Sequence, residues 1–126
     1  MDKKVVIVGG GFAGIAAAKK LADTGGIHVT LISNQTHFEY YPAIYRVLSG
    51  WSPAGVCIRY DEIFDGTNVE VVQDKIISWE SSEKKLIGES GSHYLYDYTI
   101  LAFGSETVFF GVEGMGEFAY SFKSIS

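Results

Sequence analysis

The sequence predicts an α/β fold built on a Rossmann-like parallel sheet, and three observations lead to this prediction. Residues 5–8 form a β-branched apolar run that ends at a glycine, as a central parallel strand buried on both faces does. A helical pattern follows at once, and a second apolar strand covers residues 28–32. Strand, helix and strand within roughly thirty residues make a βαβ unit, the building block of parallel sheets.

The first helix is predicted over residues 12–23, where apolar residues recur at helical spacing until the Gly25-Gly26 pair ends the pattern. The following segment, from Thr36 to Pro53, is aromatic and is predicted to be irregular. It contains one short helix at 43–48, bracketed by two prolines. A further short helix is predicted at 60–64.

The remaining elements are predicted to be strands. Residues 68–73 form the third strand, because they are rich in valine and follow a glycine-containing turn. Three short strands at 75–79, 84–88 and 92–96 are separated by Ser-Ser and Ser-Gly turns, a spacing typical of a small antiparallel β-meander. The last strand covers 99–102, and the chain beyond Gly104 is predicted to be a loop.

The composition excludes several classes of function. A formal net charge of −5, with no cluster of Lys or Arg, argues against nucleic acid as a partner. Cys57 is the only cysteine, so we expect no internal disulfide, no thiolate zinc cluster and no redox-active pair. The three histidines lack ligand spacing, and no metal site is expected. No apolar run reaches the ~20 residues that span a bilayer.

The segment with the clearest chemistry is the loop at residues 9–14, GGGFAG, which fits the G-x-G-x-x-G fingerprint between a strand and a helix. Gly9 permits the tight turn, Gly11 lets the backbone approach a pyrophosphate, and Gly14 lets the helix pack closely on the strand. The amides at Phe12 and Ala13 begin the helix, where the helix dipole favours an anion. The alternative is a glycine-rich turn that binds nothing.

Ser33 ends the second strand, about twenty residues beyond the glycines, where the fingerprint usually has an acidic residue that binds a ribose. A hydroxyl can still bond the ribose, without the strength of a charged acceptor. The site does not suit a 2′-phosphate, since no Arg or Lys lies between Lys20 and Arg46. Two interpretations stay open for Ser33, a ribose ligand and a solvated strand end.

Four stretches of the chain, 5–14, 29–46, 97–104 and 111–124, resemble the amino-terminal FAD-binding segment of the FAD-dependent pyridine nucleotide oxidoreductases, most closely the type II NADH dehydrogenases. The resemblance implies that residues 1–126 are the first part of an incomplete FAD domain. A nicotinamide-binding domain and a closing Gly-Asp segment would lie outside this chain. It also implies FAD as the cofactor, NAD(P)H as co-substrate of the parent protein, and a quinone or similar electron acceptor.

The same resemblance implies further cofactor contacts at Asn34 and Pro42, and at the backbone near Ile76, where related flavoproteins meet the adenine. Residues 101–104, LAFG, stand where the family has an Ala-Thr-Gly motif that passes the FAD. Ala102 and Gly104 keep the close backbone approach, whereas the phenylalanine between them removes the threonine hydroxyl. Disulfide reductases of this superfamily carry two cysteines after the second strand. This sequence has no such pair of cysteines, which excludes a dithiol relay from the flavin to a substrate.

Other interpretations also remain open. The aromatic patch formed by Tyr40, Tyr41 and Tyr45 has two interpretations: it lines an isoalloxazine, or it fills a core. Cys57 is expected to be a buried structural thiol. No catalytic acid or base is expected here, because the cofactor carries the chemistry. The second functional hypothesis is a noncatalytic module that binds or senses FAD or NAD.

We expect a cytoplasmic location, with a parent protein peripheral to a membrane as the open alternative. The residues from Gly104 to Ser126 are expected to favour self-association or partial disorder, since the family completes this sheet with later segments.

Overall fold

The computed structural model describes residues 2–119. In this part of the chain the strands are, in order, β1 (Lys3–Val8), β2 (Ile27–Ser33), β3 (His37–Glu39), β4 (Cys57–Arg59), β5 (Val69–Gln73), β6 (Ile76–Glu80), β7 (Lys85–Gly88), β8 (His93–Leu95) and β9 (Tyr98–Leu101). The α-helices are α1 (Phe12–Ala22), α2 (Ile44–Leu48), α3 (Tyr60–Ile63) and α4 (Met115–Phe118). Short 3₁₀ turns occur at Tyr41–Ala43, Pro53–Gly55 and Ser81–Glu83.

The main sheet has four strands in the order β5-β2-β1-β9, and every pair in it is parallel. The first and last strands within residues 2–119 therefore lie side by side, with Val5 opposite Tyr98 and Val8 opposite Leu101. On the other side of β1, Val8 lies opposite Ile32 of β2. The predicted α/β class and parallel sheet are confirmed.

The apolar run in β1 is buried on both faces of this sheet, because alternate side chains of a strand point to opposite sides. Val5 and Ile7 join one hydrophobic core, and Val6 and Val8 join a second. The first core is completed by residues of β2, α1, α3 and the segments beside them: Ala18, Val29, Leu31, Phe38, Tyr60 and Phe64. The sheet is therefore covered on this face by helices, as a βαβ unit requires.

The second core lies between the opposite face of the sheet and the antiparallel meander β6-β7-β8. Leu86 of β7 is fully buried against Val6, Val8 and Ile32. Burying a leucine side chain contributes about 1.5–3 kcal/mol to the free energy of unfolding. The predicted meander is confirmed, and its function in the fold is to cover the second face.

Two local predictions are wrong. The segment predicted to be irregular contains β3, which pairs antiparallel with β4 so that Phe38 lies opposite Ile58. Strands of three residues are too short to show a period, and their pairing depends on contacts about twenty positions apart. The segment after Gly104, predicted to be a loop, contains the short helix α4. The last part of the predicted segment, residues 120–126, lies outside the described residues.

Within residues 2–119, no helix has both the length and the hydropathy needed to cross a membrane.

The carboxylate of Asp74 joins the meander to the main sheet. It accepts hydrogen bonds from the Ser90 hydroxyl at 2.6 Å, the Tyr94 hydroxyl at 2.7 Å and the Lys75 amide at 2.7 Å. The Asp74 amide in turn donates to the Ser33 carbonyl at the end of β2, at 2.9 Å. These donors, the Ser90 hydroxyl first, lower the pKa of Asp74 from 3.8 to about 2.

We predict that Asp74→Asn lowers the free energy of unfolding at pH 7 by about 2 kcal/mol, because the amide presents a donor to groups that all donate. Since the pKa of Asp74 is depressed in the folded state, its contribution is present above about pH 4 and is lost as the pH falls through about 2. Denaturant unfolding measured from pH 2 to pH 7 checks this. The exposed aspartate Asp65 supplies the control variant Asp65→Asn. An acid dependence as steep in Asp74→Asn as in the wild type would contradict the assignment.

Candidate functional site

The candidate site lies at the edge of the sheet where its parallel strands end. Val8, Ile32 and Leu101 lie in register near the carboxyl ends of β1, β2 and β9, and Ile32 lies opposite Val72 of β5. The segments that follow these strands therefore meet at one edge, as in other open α/β sheets that bind ligands there. The edge brings together the glycine loop, Ser33 and Asn34, the turn before Ile76, and the segment from Ala102 to Gly104.

Gly9 forms the tight turn at the start of the glycine loop. Its φ is +111°, in the region that favours glycine, and its amide donates to the Ile32 carbonyl at 2.8 Å. A Cβ at this position would overlap the Ala102 carbonyl oxygen. The Ala102 amide donates to the Val8 carbonyl at 2.8 Å, so the backbones of the first and last strands are held in direct contact here.

Gly14 is required by close packing inside the loop. It is buried on α1, and a Cβ there would overlap the Gly9 carbonyl oxygen. The helix can therefore lie against the end of β1 only because this residue has no side chain, as its place in the fingerprint predicts.

Gly11 differs from the other glycines of the loop, because a Cβ at this position would meet no atom of a non-neighbouring residue within 4 Å. Gly11 is the N-cap of α1, and no side chain caps the helix. The first helical hydrogen bond runs from the Ile15 amide to the Gly11 carbonyl, at 3.0 Å. The amides before Ile15 have no partner within the helix, and the first turn carries no acidic side chain. Open space beside free amides at a positive helix end suits a pyrophosphate.

Ser33 is buried, with only 5% of its surface exposed, so the interpretation as a solvated strand end is wrong. Its hydroxyl lies 3.1 Å from the Tyr60 hydroxyl and accepts a hydrogen bond from the Gln35 amide at 3.1 Å. The Tyr60 hydroxyl donates to the Gly10 carbonyl at 2.9 Å. These hydrogen bonds connect Ser33, the predicted ribose contact, to the glycine loop.

Sequence reasoning missed Gly10 and Tyr60. A Cβ on Gly10 would overlap the Tyr60 hydroxyl and lie 2.9 Å from the Ser33 hydroxyl oxygen. The fingerprint accepts any residue at this position, and Tyr60 is fifty residues away in sequence, so no local pattern indicated the contact. Burial raises the pKa of Tyr60, which keeps its hydroxyl protonated and able to donate.

The predicted adenine contacts lie beside a shallow depression of about 550 Å³. Its lining residues come from the ends of β2 and β5 and from the meander: Asn34, Gln73, Asp74, Lys75, Glu89 and Ser90. Ile76 follows this turn, lies opposite Gly88 and packs against the second core. The hydrogen bonds of Asp74 therefore fix the backbone that leads into Ile76.

Aromatic residues surround the outer side of the loop. The Phe12 ring is half exposed and packs edge-on against Phe38, with 4.9 Å between ring centroids, and against Tyr40 at 5.8 Å. Tyr40, Tyr41 and Tyr45 are each at least 42% exposed, so the interpretation that they fill a core is wrong. The predicted contact residue Pro42 is exposed in the adjoining 3₁₀ turn.

The last two predicted cofactor contacts, Ala102 and Gly104, lie in the segment that follows β9. Ala102 is half-buried against Gly9, whereas Gly104 is exposed with a φ of +72°. Phe103, which replaces the family's threonine, is 65% exposed. Cys57 is half-buried opposite Glu39, away from this segment. The thiol is therefore only partly buried, where full burial was expected, and this burial is the main cause of its raised pKa.

A family model described as pyridine nucleotide-disulphide oxidoreductase matches residues 3–126. The chain belongs to this family. The family resemblance noted in the sequence is therefore confirmed, and the G-x-G-x-x-G loop lies inside the matched region.

Two of the relatives that this chain matches are named as quinone reductases or oxidoreductases. The chain is 32% identical over 119 residues to the sulfide-quinone reductase of Aquifex aeolicus, which covers 93% of this chain and 27% of that protein. It is 31% identical over 132 residues to the type II NADH:quinone oxidoreductase Ndh of Mycobacterium tuberculosis, with 97% of this chain and 27% of that protein covered. The chain thus spans about a quarter of the length of these relatives.

A solved structure supports the same fold. The sulfide:quinone oxidoreductase of Aquifex aeolicus superposes with a TM-score of 0.84 at 29% identity, over 97% of this chain and 29% of that one. The parallel sheet and the glycine loop therefore belong to a fold already observed in this oxidoreductase family.

We predict that Gly10→Ala lowers the free energy of unfolding by about 1–3 kcal/mol, because its Cβ displaces the buried Tyr60 hydroxyl. Gly25→Ala is the matched control, since it adds the same methyl group in the exposed turn before β2, where a Cβ would meet no atom of a non-neighbouring residue within 4 Å. It should change the free energy of unfolding by less than about 0.5 kcal/mol. Chemical denaturation of both variants measures the difference, and equal stabilities would contradict the described packing.

Proposed function

We propose that this chain binds FAD through its glycine loop, within an oxidoreductase that passes electrons from NAD(P)H to a quinone or similar acceptor. The observation that carries this proposal is the uncapped start of α1 beside open space at Gly11. Other turn glycines such as Gly25 are equally open, but Gly11 lies at a helix N-terminus, where the first amides have no partner within the helix. Membership of a pyridine nucleotide oxidoreductase family supports the same conclusion.

Each part of the cofactor has candidate partners at this edge of the sheet. The amides of Gly11, Phe12 and Ala13 would hold the pyrophosphate, helped by the positive end of the helix dipole. Ser33 would accept a hydrogen bond from the adenosine ribose. The backbone before Ile76, with Asn34, would meet the adenine.

The flavin half of the cofactor would meet other elements. Ala102 and Gly104 would pass it by backbone contact, and Pro42 lies on the aromatic side of the loop beside Tyr41. Phe103 is exposed and offers no hydroxyl, so no side-chain hydrogen bond is assigned to that position.

FAD, when bound, supplies the redox chemistry. The residues of this chain bind and orient it, and no catalytic acid or base is assigned to them. Relatives about four times as long as this chain carry the activity that their names state. We therefore assign the nicotinamide and acceptor sites to segments outside the one described.

On this proposal, the chain alone binds FAD weakly and does not oxidise NADH, because contacts to the isoalloxazine and the nicotinamide come from those other segments. Its partners would then be FAD and those segments. The exposed aromatic residues that remain uncovered would favour self-association, and the parent protein would work in the cytoplasm or at a membrane surface.

Gly11→Val tests the proposed cofactor site directly. Its side chain would occupy the space assigned to the pyrophosphate, so the affinity for FAD should fall at least about tenfold, or about 1.4 kcal/mol. A flavin fluorescence titration extended to millimolar FAD measures the affinity of the wild type and the variant.

Gly25→Val is the matched control. A Cβ at Gly25 also meets no atom within 4 Å, and Gly25 lies in the turn before β2, away from the loop. The control should bind FAD as the wild type does. The absence of FAD binding by the wild type, or equal affinities of the wild type and Gly11→Val, would overturn the proposed function.

A further inference from the structure

We propose that Tyr60 is a positioning residue that makes the Ser33 hydroxyl a pure hydrogen-bond acceptor, and that this selects an adenosine with a free 2′-hydroxyl over a 2′-phosphorylated one. The inference rests on the proposed function, because it deepens the assignment of Ser33 as the ribose contact. It identifies a residue, distant in sequence, that determines which nucleotides the site accepts.

The Gly10 carbonyl sets the direction of each hydrogen bond among Gly10, Tyr60 and Ser33. A carbonyl oxygen can only accept, so the single proton of the Tyr60 hydroxyl must be donated to it across the 2.9 Å contact. The Tyr60 oxygen then has no proton left for Ser33. The 3.1 Å contact between the two hydroxyls must therefore use the Ser33 proton, with Tyr60 as the acceptor.

The remaining capacity of Ser33 follows from a count of its proton and lone pairs. A serine hydroxyl has one proton and two lone pairs. Its proton is committed to Tyr60, and one lone pair accepts the Gln35 amide at 3.1 Å. One lone pair has no partner among the described residues, so Ser33 can accept one further hydrogen bond and cannot donate one.

An acceptor without a proton is the same hydrogen-bonding group that a carboxylate would present at this position. A ribose 2′-hydroxyl can donate to it. The oxygens of a 2′-phosphate that is fully ionised, above about pH 7, only accept, so they would face the Ser33 lone pair without a hydrogen bond between them. Tyr60 thus lets a neutral serine act as the acidic residue of the fingerprint does, without its charge.

Three features hold Tyr60 in this arrangement. It is only 4% exposed and belongs to the first core, where it lies with Val5, Leu31 and Phe38. It begins α3, directly after β4. Gly10 has no side chain, which leaves room for the hydroxyl. The orientation of Ser33 therefore does not depend on the ligand.

The test uses ADP-ribose and 2′-phospho-ADP-ribose, which share a pyrophosphate and differ at the adenosine 2′ position. We expect the wild type to bind ADP-ribose at least about tenfold more tightly than the phosphorylated compound. Tyr60→Phe keeps the ring and frees the Ser33 proton, which can then be donated to a phosphate. The ratio of the two affinities should fall about fivefold. Isothermal titration calorimetry gives both affinities.

Tyr96→Phe is the matched control, because it removes a hydroxyl that accepts a hydrogen bond from the Trp79 indole at 2.6 Å in the meander. The ratio of the two affinities in Tyr96→Phe should equal the ratio in the wild type. Ser33→Ala removes the lone pair that would accept from the ribose and leaves Tyr60 unchanged. It should also lower the ratio of the two affinities. If Tyr60→Phe does not fold, Ser33→Ala is the test. A purely structural effect of Tyr60 would weaken both ligands equally and leave the ratio unchanged.

The two possible failures are distinct. If the wild type binds ADP-ribose no more tightly than the phosphorylated compound, or if Tyr60→Phe leaves the ratio of affinities unchanged, the inference about Tyr60 is overturned and the proposed function stands. If Tyr60→Phe does not fold, an unchanged ratio in Ser33→Ala overturns the inference. If the wild type binds neither FAD nor ADP-ribose at millimolar concentration, the proposed function is overturned, and the inference with it.

Discussion

The contact between Gly9 and the Ala102 carbonyl is the constraint on which the rest of the site depends. It brings β1 against β9, across more than ninety residues of sequence, and leaves no room for even a methyl group on Gly9. Because β1 is held there between β2 and β9, the loop after it must turn at once and pass into α1. The direction of α1, and with it the position of its free amides, is a consequence of this packing.

Much of this arrangement could be predicted from the sequence, because it is encoded in local patterns. The apolar run of β1, the helical spacing after it and the serine-containing turns of the meander each indicate an element within a short window. The spacing of Gly9, Gly11 and Gly14 indicates the loop in the same way. These patterns predict structure well because the conformation of each residue in them depends mainly on its neighbours in sequence.

The parts that could not be predicted depend on contacts between distant residues. Nothing near Gly10 indicates that the Tyr60 hydroxyl fills the space above it, and nothing near Asp74 indicates that Ser90 and Tyr94 donate to it. The pairing of β3 with β4 involves three residues on each side, too few for a recognisable period. The burial of Ser33 likewise depends on α3, which arrives from elsewhere in the chain.

The proposed phosphate site consists of backbone amides, and no residue in the first turn of α1 is basic. Its attraction for an anion is therefore confined to about one helical turn, whereas the chain as a whole carries a formal net charge of −5. A dinucleotide approaching from solution meets repulsion before it meets the amides. Added salt screens that long-range repulsion and leaves the short-range hydrogen bonds largely intact, so association should become faster as ionic strength rises.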